Sequence, residues 1–169
     1  MVNSVFARSR DWMRWHLSDV LSDSSNYLIS ISCPSETEQL WIDNASLRNG
    51  RAIRLRFADI EYPCDERIIS PNGDNPIHVK LMTRGQAQLI VDFVVSIHSR
   101  PEHITLYVNC LAGISRSGAI AKFVQQSCQI NPEIFSSCNP DIYPNLHVLR
   151  LLHEVSRADS RLADSLELG

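Results

Sequence analysis

A chain of 169 residues can bury one sizeable core, and its apolar and charged fractions are those of an ordinary globular protein. A net charge of -3 lacks the basic surface of a dedicated nucleic-acid binder. No run approaches the ~20 apolar residues that span a bilayer, and the opening MVNSVFARSR has no long apolar stretch of the secretory kind. The expectation is a cytoplasmic protein of one domain over 1–169, its core about 27–157, with no membrane or nucleic-acid partner.

From Ser9 the spacing of Met13, His16, Leu17 and Val20 predicts a helix. A turn at Asp23–Asn26 leads into a buried strand, Tyr27–Ser32, closed by Cys33-Pro34. Glu36–Leu47 reads as a short helix ended by Asn49-Gly50. Ala52–Phe57 alternates, with Ile53, Leu55 and Phe57 on one face and Arg54 and Arg56 on the other, so it is read as a half-buried strand. Prolines and an Asn-Gly pair between Glu61 and Lys80 predict a long surface excursion.

Thr83 and Gln86 form a capping box for a helix reaching about His98, with Ile90, Phe93, Val94 and Ile97 on one stripe. Ile104–Val108 has no polar face and should be a central strand. A helix follows from Ser117, then a proline-broken connection, then a last helix from Leu146 to about Arg157 and a frayed tail beyond Ala158. The alternation predicts an α/β fold with a mainly parallel central sheet flanked by helices. Ligand sites in such sheets lie beyond the carboxyl ends of the strands. Asp59 and the segment Cys110–Arg116 both fall just past predicted strands.

That segment carries the chemistry. Leu111, Ala112, Gly113, Ile114 and Ser115 separate Cys110 from Arg116. A strand, a tight loop and a helix N-terminus present backbone N–H groups and the positive end of a helix dipole to an anion. Ala112 and Gly113 let the backbone curl closely. A cysteine at the floor of such a nest is expected to ionise, because helix N-termini and nearby cations favour thiolate, the nucleophilic form. Arg116 can grip two phosphate oxygens in a fork.

A cysteine, five residues, an arginine and then a serine resemble the signature of the protein tyrosine phosphatase superfamily. LAGISRSG is similar to its dual-specificity branch, closest to small bacterial tyrosine-phosphatase-like proteins with an AGISRS core. YLISIS, LRFADI and YPNLHVLRLL fit the same pattern, so the resemblance covers roughly Tyr27 to Val155. It implies the cysteine-phosphatase fold and hydrolysis of a phosphorylated protein or small phosphomonoester without a cofactor. Cys110 would attack phosphorus, Arg116 and the amides of Leu111 to Arg116 would bind the phosphate, and Ser117 would support the thiolate as leaving group. Asp59 would be the general acid, with Glu61, Asp65 and Asp74 as alternatives and a turn cap as its plainer role. The second acidic residue usual in this group is replaced here by Ala58.

One departure is sharper. Asn109 stands where the superfamily has histidine before the cysteine; it can replace a hydrogen-bonding role but not a titrating one. A phosphate-binding module with a weakened nucleophile is therefore one alternative. An arsenate-reductase-like enzyme is another, although Cys128 and Cys138 form no recognisable resolving pair. Sulfur transfer usually uses a shorter loop. The five cysteines are odd in number and show no zinc-site spacing. They read as mostly structural thiols, with Cys33 and Cys64 as conceivable resolving partners for Cys110. The six histidines form no ligand cluster, so no metal is expected. Trp12, Trp15 and Trp41 read as packing residues, and Arg54 and Arg56 as a solvated face rather than an anion-attracting rim.

Overall fold

The computed structural model describes residues 1–34, 36, 42, 47, 49–61, 67–68, 77–78 and 80–159. Its elements run β1 (Val2–Ser9), α1 (Arg10–Ser22), β2 (Asn26–Ser32), β3 (Ala52–Arg56), β4 (Arg67–Ile68), β5 (Ile77–His78), α2 (Arg84–His98), β6 (Ile104–Cys110), α3 (Arg116–Ser127), α4 (Pro132–Cys138) and α5 (Leu146–Arg157). Four strands form one sheet in the order β1-β6-β2-β3, and all are parallel. β4 and β5 form a separate antiparallel pair.

The sheet is covered on both faces. Ile29, Ile31, Leu106 and Val108 meet α2, α3 and α5 in the larger core, through Ile90, Val94, Ile120, Phe123, Val124 and Leu152. Leu28 and Ala52 meet Met13 and Val20 of α1 on the opposite face. A strand bonded on both edges and packed on both faces favours apolar side chains along most of its length. That is why β6 reads ITLYV and why it runs between β1 and β2.

The caps explain where the helices start. Ser9 accepts from the Trp12 amide, Thr83 and Gln86 bond reciprocally, and Asn145 accepts from the Val148 amide. Besides the β4–β5 pair, which falls within the stretch read as a surface excursion, two elements depart from the sequence expectation. The N-terminal residues form β1, whose inward residues Val2, Val5 and Ala7 do not alternate, because the register shifts between Val2 and Ser4. A bulge of this kind removes the period of two on which strand reading depends. The connection after α3 also contains a helix. Pro132 sits in its first turn, where its missing N–H costs nothing, and Asn131 accepts from the amides of Glu133 and Ile134.

The Glu36–Leu47 helix falls almost wholly outside the described residues, as do most of the Glu61–Lys80 excursion and the tail beyond Asp159. Among the described residues no helix is long and apolar enough to cross a membrane.

Candidate active site

Because the four strands are parallel, β3 and β6 end at the same edge of the sheet, and the residues that follow them meet there. β6 ends on Cys110, which is 1% exposed. The chain then turns through Leu111–Ser115 and enters α3 at Arg116. Gly113 makes the turn possible. Its φ is +80°, and a Cβ there would lie 2.4 Å from the Ser9 amide nitrogen, so the loop rests directly on the end of β1.

The loop directs its carbonyls outward. Those of Leu111, Ile114 and Ser115 accept from the amides of Arg10, Tyr143 and Asn145 at 3.1, 3.2 and 3.1 Å. The amides of Leu111 to Ser115 donate to no protein acceptor among the described residues. Ser115 occupies the N-cap position of α3 but makes no capping bond. Its hydroxyl donates instead to Asp59 Oδ1 at 2.7 Å. An uncapped helix N-terminus preceded by unbonded amides is an anion-binding arrangement.

The side chains complete it. Cys110 Sγ lies 3.1 Å from Ser117 Oγ, and Ser117 is fully buried. Arg116 is 4% exposed; its Nη1 donates to the Phe57 carbonyl at 3.0 Å, and its Nε has no hydrogen-bond acceptor. Asp59 Oδ2 is 3.7 Å from that Nε, while Asp59 Oδ1 also accepts from Asn145 Nδ2 at 2.9 Å. The structure thus brings together Cys110, Arg116, Ser117, Asp59 and Leu111–Ser115. Glu61 makes none of these contacts, and Asp65 and Asp74 lie outside the described residues.

Three participants were not among the site residues expected from the sequence. Arg10, at the start of α1, is 4% exposed and ion-pairs with Glu36 Oε2. Glu36 Oε1 lies 3.7 Å from Arg116 Nη2, so one carboxylate links two buried guanidiniums. Its backbone is held in turn by Arg56, whose Nη2 donates to the carbonyls of Pro34 and Glu36 at 3.1 and 3.3 Å. Asn145 is the third. It lies within the YPNLHVLRLL stretch and carries the mark of an N-cap, but its second bond to Asp59 is tertiary.

Asn109 does not take over the hydrogen-bonding role expected of it. It is fully buried, pointing away from Cys110 by strand alternation, and neither Oδ1 nor Nδ2 has a protein partner. Other sequence expectations separate in the same way. Trp12 packs, with its ring stacked 6.0 Å from that of Tyr107, whereas Trp15 is 85% exposed and does not; Trp41 lies outside the described residues. Arg54 donates to the Ile42 carbonyl, so the Arg54–Arg56 face ties down the chain after β2 rather than lining the loop.

Cys110, Cys128 and Cys138 carry no disulfide. Burial pushes the Cys128 thiol up to about 12, which leaves it inert. Cys33 follows the end of β2, and Cys64 lies outside the described residues. No group of three or more His, Cys, Asp or Glu side chains with metal-binding geometry occurs among the described residues. No protein-family model matches the chain, and no curated protein matches it.

Proposed function

We propose that this chain is a cysteine-dependent phosphomonoesterase with the cysteine-phosphatase fold, acting in the cytoplasm on phosphotyrosine or other phosphomonoesters of a protein or small molecule. One observation carries the reading: the Cys110 thiol sits beside the Ser117 hydroxyl beneath a loop whose amides are unbonded and whose Arg116 has an unmet donor. Binding alone would need the amides and the arginine; a sulfur at the floor of the loop adds a nucleophile.

The substrate phosphate takes the amides of Leu111 to Arg116, and Arg116 takes two of its oxygens. The Cys110 thiolate attacks phosphorus, forming S–P as the P–O bond to the leaving group breaks. Asp59 gives its proton to the departing oxygen. Water then attacks the cysteinyl phosphate, forming a new P–O bond and returning its proton to Asp59, while S–P breaks. The Ser117 hydroxyl stabilises the sulfur that leaves. Fixed donors around the equatorial oxygens hold charge as the phosphoryl group transfers.

A second reading draws on Asn109, whose side chain gives the loop no hydrogen bond. It is a phosphate-binding module without turnover. Assay of the purified chain against an aryl phosphate, without metal and beside Cys110→Ser, separates the two. Metal-independent turnover abolished in the variant supports the enzyme. Binding of phosphate or vanadate with no turnover at any pH supports the module.

A further inference from the structure

Behind the loop lies a cavity of about 390 Å³ that the chemistry above does not use. Ala112 and Ile114 of the loop line it together with the end of β1 and the segment after α4, whereas Cys110, Arg116 and Asp59 do not. Trp12, Ile114, Pro140 and Ile142 give it one apolar side, and Arg8 and Asp141 supply its charges. Its floor is rigid: Asn139 is 4% exposed, accepts from the Ala7 amide at 2.7 Å and donates to the Val5 carbonyl at 2.9 Å.

Arg8 is the unusual member. It is half-buried, with its guanidinium 4.7 Å from the Phe6 ring centre and 5.3 Å from that of Trp12. Nη1 donates to the carbonyls of Ala7 and Cys138 at 2.9 and 3.2 Å. Nε and Nη2 make no bond to the described residues, and no described carboxylate pairs with this cation, although Asp141 shares the cavity. Burial pulls its pKa down, against smaller opposing effects of Tyr107 and Cys138. A desolvated guanidinium with two free donors on one edge is well suited to a planar or tetrahedral anion. The volume falls in the range of small-molecule sites.

We propose that this cavity is a second anion site, in which Arg8 holds a carboxylate or phosphate group carried on an apolar, ring-sized body. It stands whether or not the loop turns over phosphomonoesters.

Benzoate and phenylphosphonate, with neutral benzamide as control, are titrated into the full chain while the Trp12 indole N–H resonance is followed, assigned with Trp12→Phe. The expected result is a saturable shift with at least one anion, and binding of benzamide weaker by about tenfold or more. Arg8→Met should abolish it, Cys110→Ser should leave it unchanged, and Asp141→Asn should tighten it about twofold or more by removing a repelling charge. Asp141 is exposed, so this last variant keeps the test decisive if Arg8→Met fails to fold. A response to benzoate alone or phenylphosphonate alone identifies which anion the site takes. No saturable shift with either anion, equal binding of benzamide, an unaltered affinity in Arg8→Met or in Asp141→Asn, or a shift lost in Arg116→Met but kept in Arg8→Met would overturn the proposal.

Discussion

Asp59 and Ser115, 56 positions apart, are joined by a 2.7 Å hydrogen bond that ties the end of β3 to the mouth of the loop after β6. The bond spends the Ser115 hydroxyl on a carboxylate rather than on the helix N-terminus, so the α3 amides stay available to an anion. It also fixes Asp59 Oδ1, leaving Oδ2 on the Arg116 side.

If Asp59 protonates the leaving group, Asp59→Asn lowers kcat by about 100-fold. The loss should be larger for phenyl phosphate, whose leaving group needs the proton, than for p-nitrophenyl phosphate. Paired kinetics on the two substrates check this. Equal losses would move the acid to Glu61, Asp65 or Asp74.

Glu36 pairs with both Arg10 and Arg116, and its side chain is 17% exposed. Removing this carboxylate takes away a negative charge that faces two buried guanidiniums at once, so Glu36→Gln should destabilise the fold by about 3 kcal/mol. Inorganic phosphate should raise the melting temperature of this variant more than that of the unaltered chain, because it supplies the missing anion. Thermal melts with and without phosphate read both effects.

Asn109 buries two polar atoms that have no protein partner. Asn109→Leu, similar in size, should therefore gain about 1–3 kcal/mol of stability. Urea denaturation measures it, and a loss of stability would mean that the amide is satisfied by an internal water.

His98 Nδ1 accepts from the Val2 amide at 3.3 Å, and burial, then the N-terminal ammonium, holds its pKa below the ordinary 6.5. A base with a depressed folded pKa binds its proton more readily when unfolded. Its contribution is full above pH 6.5 and is lost as pH falls through the folded value. His153, lowered by burial and then by Arg157, acts in the same sense. The melting temperature should fall on acidification below about pH 6.5, and less steeply in His98→Asn, whose Oδ1 can keep the bond without titrating.

Much of this arrangement was legible because local chemistry writes it into the chain. The unbroken apolar run of β6, the capping box at Thr83 and the cysteine-to-arginine spacing each follow from one element's own needs. β1 was hidden by its bulge, and α4 by a proline that reads as a breaker when it opens a helix. Arg10 and Glu36 had no local mark, because the burial of a charged residue is decided by what packs against it. Trp15 shows the converse, a large ring that packing leaves outside.

The central claim is that Cys110 forms a covalent bond to phosphorus. Acid quenching of the chain during turnover of an aryl phosphate, followed by peptide mass analysis, tests it directly. The account predicts one added phosphoryl group on the Cys110 peptide, absent in Cys110→Ser and accumulating to a greater fraction in Ser117→Ala. Turnover without phosphorylation of that peptide, or with activity kept in Cys110→Ser, would contradict it.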